Sequence, residues 1–162
     1  MDKDFTLLME ESTNLELNVA DLYLLFNSLF PEDSNFWWEL ALEEKSHAAL
    51  IRSGKDFFEP KNQFPHDLLA DSLQTLKDIN SKLNLLIKKY KDTSPSREEA
   101  FNIAFKLENS ASELHYQNFM SKETSSRIDN IFKQLNKDDK DHAMRICSYM
   151  ENHGIPLQSK NG

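Results

Sequence analysis

Apolar residues along this chain recur mostly at three- and four-residue steps, the period of an amphipathic helix, with no sustained two-residue alternation. Five helices are predicted on that basis. The first spans about 4–29 and is stopped by Pro31, with Asp33 or Ser34 available to cap the next. The second spans about 35–52 and stops at Gly54. The third, about 66–91, carries Leu69, Leu73, Leu76, Leu83, Leu86 and Ile87. The stretch "DTSPSREE" reads as a stop and a fresh start, with Ser94 as cap, Pro95 at the first helical position and acids in the first turn. The fourth helix then spans about 95–120. "SKETSS" breaks it, and the fifth runs over about 126–152 to His153 and Gly154. These segments predict a single all-α domain: a helical hairpin over 4–53, a crossover with an extra helix over 54–94, a second hairpin over 95–153, and a frayed tail over 154–162.

Composition supports the helical reading. Only three Gly and five Pro occur in 162 residues, too few for a turn-rich β fold. A formal net charge of −8 argues against nucleic acid or an anionic membrane as partner. One cysteine, Cys147, excludes an internal disulfide framework and a four-cysteine metal knuckle and suits a cytoplasmic location. It is expected to be a small, at least half-buried side chain. No basic-then-apolar leader is visible, and the longest apolar run, "LYLLF", is too short to span a bilayer.

Two octets echo one another. "EKSHAALI", from Glu44, and "DKDHAMRI", from Asp139, both read acid-Lys-x-His-Ala-x-x-Ile. A second pair, "LELNVADL" around Glu16 and "LENSASEL" around Glu108, reads Leu-Glu, four residues, acid, Leu. Glu16 and Glu108 lie 92 positions apart, Glu44 and Asp139 95 apart, which implies a duplicated helical hairpin. Within each hairpin the two acids lie at similar distances from the turn, so at about 1.5 Å per residue they stand nearly level. All four acids sit in apolar stripes that should face the core, and His47 and His142 follow their acids at i+3 on the same faces. Four carboxylates and two imidazoles in one interior must protonate, find cations or bind metal. No Lys or Arg lies on those stripes, and two divalent ions would balance four carboxylates. The alternative is a bundle in which these groups are solvated or paired polar residues.

This set of residues resembles the ferritin-like superfamily, and most closely the rubrerythrin di-iron domain. That family takes one Glu from each of two helices and a Glu-x-x-His from each of the other two. Glu16, Glu44 with His47, Glu108, and Asp139 with His142 match that set in chain order. The resemblance implies a ferritin-like four-helix bundle with a long crossover. It implies two metal ions per chain, iron by resemblance, although Mn or Zn suits the same ligands. It implies an oxidoreductase that reacts with hydrogen peroxide or dioxygen. A metal-storing, metal-sensing or scaffold bundle is the non-enzymatic counterpart.

Three departures mark the chain. Asp139 stands where the family has Glu, one methylene shorter. Ala111 stands where rubrerythrins carry a further Glu. The four cysteines of a rubredoxin domain are missing, so the resemblance implies a separate electron donor protein. Tyr23 and His115 each follow a helical Glu by seven residues and are candidates to hydrogen-bond a ligand, or ordinary core positions. His66 and His153 read as capping or solvent-facing. Trp37 and Trp38, and Phe57 and Phe58, place large apolar groups on neighbouring faces. At least one member of each pair is expected at the surface, which suits an oligomer interface such as a homodimer; core packing is the equal alternative.

Overall fold

The computed structural model describes residues 3–58, 61, 63–65, 68–69, 72–109, 118–135 and 142–158. Every regular element among them is helical: α1 (Lys3–Leu29), a short 3₁₀ turn (Pro31–Asp33), α2 (Ser34–Phe57), α3 (Leu73–Asp92), α4 (Arg97–Glu108), α5 (Arg127–Leu135) and α6 (His142–Asn152). None of these helices is long and apolar enough to cross a membrane.

Helix α1 ends where expected, because Pro31 cannot continue the ladder. Asp33 then serves as the N-cap of α2 without a side-chain cap bond. Its buried carboxylate is engaged elsewhere. Arg97 donates to both oxygens at 2.7 Å, and Tyr149 donates to Oδ1 at 2.9 Å. One acid thereby joins the α1–α2 turn to the start of α4 and the end of α6. Charge-assisted bonds to a guanidinium are stronger than a bond to a backbone N–H, which is why the cap is forgone.

Gly54 does not stop α2, which continues to Phe57. A Cβ at Gly54 would lie 2.5 Å from a Phe64 ring atom and 2.9 Å from one of Phe132. The glycine opens space for a close ring approach; it does not end the helix. Around it lies a second apolar cluster of Met9, Leu50, Ile51, Phe64, Phe119 and Phe132.

Helix α3 begins at Leu73, later than the leucine spacing predicts, because the Ser72 hydroxyl accepts from Thr75 N–H and fixes the start there. It sits in the connection between α2 and α4 and packs on α1, burying Leu76, Leu83, Ile87 and Tyr90. Helix α4 is capped by Ser96, not Ser94, through Glu99 N–H at 3.1 Å. Pro95 therefore precedes the helix, holding the chain extended into the cap. Residues 118–121 are helical. The predicted fifth helix is represented by α5 and α6. Gly154, at φ 63°, ends α6 as expected: Ile155 N–H bonds to Met150 O and Gly154 N–H to Glu151 O, a Schellman closure.

The main core is shared. Helices α1 and α2 pack along their length, and α4 packs on α6. Trp37 and Phe26 are fully buried between them, with Trp37 4.4 Å from the Phe101 ring and Phe36 4.1 Å from Tyr149. Trp38 and Phe57 are exposed, at 48% and 68%, while Trp37 is buried and Phe58 packs on the second cluster, so one member of each aromatic pair faces outward.

Candidate metal centre

Mid-helix positions on α1 and α2, the last residue of α4 and the first residue of α6 converge in the interior. Glu44 is fully buried, Glu108 and His47 nearly so, and Glu16 is half-buried at its rim. His47 Nδ1 lies 3.3 Å from Glu44 Oε2 and 3.5 Å from Glu16 Oε2. His142 Nδ1 lies 2.7 Å from Glu44 Oε1 and 3.4 Å from Glu108 Oε2. The two imidazoles face each other with centroids 5.7 Å apart and planes 17° from parallel. Glu44 therefore turns one oxygen to each histidine.

Two triplets result: Glu16, Glu44 and His47, and Glu44, Glu108 and His142. In each, one ligand atom per residue lies within 4.8 Å of the others. A cation bonded at about 2.0–2.2 Å spans about 4.2 Å between opposed ligands, so modest closure suffices. The oxygens are also unused. Glu16 Oε2, both oxygens of Glu44 and Glu108 Oε2 are buried and accept no hydrogen bond from any described residue. Buried carboxylate oxygens that converge in this way, with two imidazoles beside them, form Glu/His groups that could hold a divalent ion.

The electrostatics say the same in terms of protons. Burial, then the neighbouring Glu44 charge, lift the Glu16 carboxyl to about 8 against the pull of His47. Burial and the Glu44 charge also raise Glu108. Burial opposes the Glu44 charge too, but the His142 ring, and His47 after it, outweigh this and depress Glu44 well below the usual carboxylate range. Burial alone would lower His142; the Glu44 charge, then Glu108 and Glu43, raise it well above an ordinary histidine. Without metal, one anionic carboxylate holds the centre while its neighbours retain protons.

Glu16, Glu44, His47, Glu108 and His142 are thus brought together. Tyr23 joins them from α1, its hydroxyl donating to Glu108 Oε1. Asp139, His115, His66 and Ala111 lie outside the described residues. His153 is exposed and stacks on Tyr149 at 3.8 Å, with Nδ1 2.8 Å from Tyr149 O. Cys147 is half-buried, 3.8 Å from Glu151 Oε1.

Glu43 is the residue the sequence pattern passes over. Its Oε2 lies 2.7 Å from His142 Nε2, and Arg145 Nη1 lies 2.5 Å from the same oxygen. The advance signal is Arg145, three residues after His142 and so on the same helical face, which corrects the expectation that no Lys or Arg lies on those stripes. Compared with known protein families, curated proteins and solved structures, the chain matches none of them.

Proposed function

We propose that this chain is a dinuclear carboxylate metalloprotein of the rubrerythrin type, an oxidoreductase toward hydrogen peroxide or dioxygen in a ferritin-like bundle. The observation that carries the reading is Glu44: a fully buried carboxylate whose two oxygens accept no hydrogen bond among the described residues and face two different histidines. A carboxylate so placed would be a ligand available to both of two cations. Glu16 and His47 would complete one ion's ligands, Glu108 and His142 the other's, with Asp139 as a sixth candidate. A redox-active ion pair, iron first and manganese second, supplies the electrons for reduction of the oxidant when bound. The chain's own contribution is to hold Glu108 through the Tyr23 hydroxyl and to keep bulk water from Glu44. Electrons would reach the site from a separate donor protein, in the cytoplasm.

The test is metal analysis of protein purified without a chelating tag, followed by anaerobic iron(II) loading and addition of peroxide. Two metals per chain and peroxide consumption at a rate above free iron are expected. A metal content near zero after reconstitution sinks the proposal.

One observation favours a non-enzymatic reading. The 2.7 Å contact between His142 Nδ1 and Glu44 Oε1 lets a protonated histidine neutralise that carboxylate. A bundle stable without metal suits a sensor, a store or a scaffold. Uptake of two metals without any peroxide or dioxygen turnover selects that reading. A storage cage would also elute as a large oligomer in size-exclusion chromatography, whereas the exposed Trp38 and Phe57 suit a homodimer.

A further inference from the structure

Behind the His142 ring, on the side away from the carboxylate cluster, lies a contact that the ligand set does not include. Glu43 precedes Glu44 on α2, about 100° round the helix, and so points past the cluster instead of into it. Its Oε2 stands between His142 Nε2 at 2.7 Å and Arg145 Nη1 at 2.5 Å. Arg145 also reaches Glu39 Oε2 at 3.8 Å. Glu43 and Arg145 are partly exposed, at the rim, whereas the ring between them and the cluster is buried.

We propose that Glu43, braced by Arg145, is a positioning residue that fixes the His142 ring with Nε2–H outward and Nδ1 toward Glu44 and Glu108, so that this half-site is set before a divalent cation enters. This rests on the metal-site reading above and adds to it how one histidine is oriented. The chemistry is short. A carboxylate paired with a guanidinium has only lone pairs to offer, so the nitrogen it touches must carry the hydrogen. The other nitrogen is then the one that can give its lone pair to a metal, and it lies 2.7 Å from Glu44 Oε1 and 3.4 Å from Glu108 Oε2. Turning the ring over would put a C–H against the carboxylates and break the charge-assisted bond to Glu43. Sharing Oε2 between His142 and Arg145 also keeps Glu43 behind the ring and out of the ligand set.

The experiment uses the full chain and zinc(II), which is diamagnetic and suits Glu/His ligands. Zinc affinity is measured by competition titration, and the His142 ring nitrogens are assigned by long-range ¹⁵N–¹H correlation, for wild type, Glu43→Ala and Glu43→Gln. In the wild-type zinc complex Nδ1 is expected on the metal and Nε2 protonated. Glu43→Ala should weaken one of two zinc ions about 10- to 100-fold and shift the Nε2 signals, and Glu43→Gln, whose amide oxygen still accepts, should lose less. A zinc-bound Nε2 in wild type, or wild-type zinc affinity at both sites in Glu43→Ala, overturns the proposal. If wild type takes up no zinc, the metal reading fails, and the ring spectra without zinc decide the clamp separately: unchanged His142 signals in Glu43→Ala overturn it, and a shifted Nε2 supports it.

Discussion

At the residue scale, the centre depends on Glu44 more than on any other described residue, because among the described residues it alone belongs to both triplets. Glu44→Gln keeps the shape but leaves one neutral oxygen where two anionic ones stood. We expect zinc or iron(II) uptake to fall from two ions to one or none, with affinity down by at least about 100-fold, measured by titration. Tyr23→Phe should be milder. It removes the Tyr23 hydroxyl that donates to Glu108 Oε1, weakening one metal about 10-fold and costing the metal-free fold roughly 1–3 kcal/mol in urea unfolding. Glu16 gives a pH signature. Its carboxyl holds a proton up to about 8 when folded and only to about 4.5 when unfolded. The folded state therefore binds more protons across that window, and the metal-free protein should lose stability as pH rises from about 4.5 to about 8. Glu16→Gln should flatten that decline in denaturant titrations; an unchanged slope would show that the proton resides elsewhere.

At the scale of the elements, two junctions decide how the helices meet. Gly54 lets α2 pass close to Phe64 and Phe132, both buried rings that cannot swing aside. Gly54→Ala gains about 1 kcal/mol of helix propensity but overpacks by about 1–3 kcal/mol, so a net loss of about 1–2 kcal/mol and a Tm lower by a few degrees are expected by calorimetry. A higher Tm would mean that the rings relax freely. The second junction is Asp33 between Arg97 and Tyr149. Arg97→Met leaves a buried carboxylate with one hydroxyl donor. The expected cost at pH 7 is roughly 2–3 kcal/mol, below the full value for a broken buried pair because Arg97 is partly exposed. Burial raises the Asp33 pKa, but the bonds to Arg97 and Tyr149 outweigh this and lower it. Its contribution is thus present above an ordinary aspartate pKa of about 4 and lost as pH falls below. The gap between wild type and Arg97→Met should close in acid.

At the scale of the whole molecule, metal and protons compete for the same interior. Three groups of the centre, Glu16, Glu108 and His142, have pKa values raised by folding, so their stabilisation without metal fades as pH rises. Ligation needs those groups deprotonated. The gain in Tm on adding saturating zinc should therefore grow from pH 6 to pH 8. A gain independent of pH would place the metal away from this cluster.

Helix content, the all-α class, the end of α1 at Pro31, the closure of α6 at Gly154 and the convergence of Glu16, Glu44, His47, Glu108 and His142 were legible in the sequence. Each follows from a local rule: a 3.6-residue period, a missing N–H, a permitted positive φ, a motif written twice. The fates of Gly54, Asp33 and Glu43 were not, because each is decided by a side chain distant in sequence. Gly54 looked like a stop because a glycine's stop and a glycine's clearance have the same sequence. Asp33 looked like a cap until Arg97, 64 residues away, competed for it. Glu43 carried no pattern at all, since its partner His142 lies 99 residues on and one-residue neighbours point to different faces. Periodicity determined which residues turn inward along each helix; only the packing of α2 against α6 decided which nitrogen of His142 faces the carboxylates.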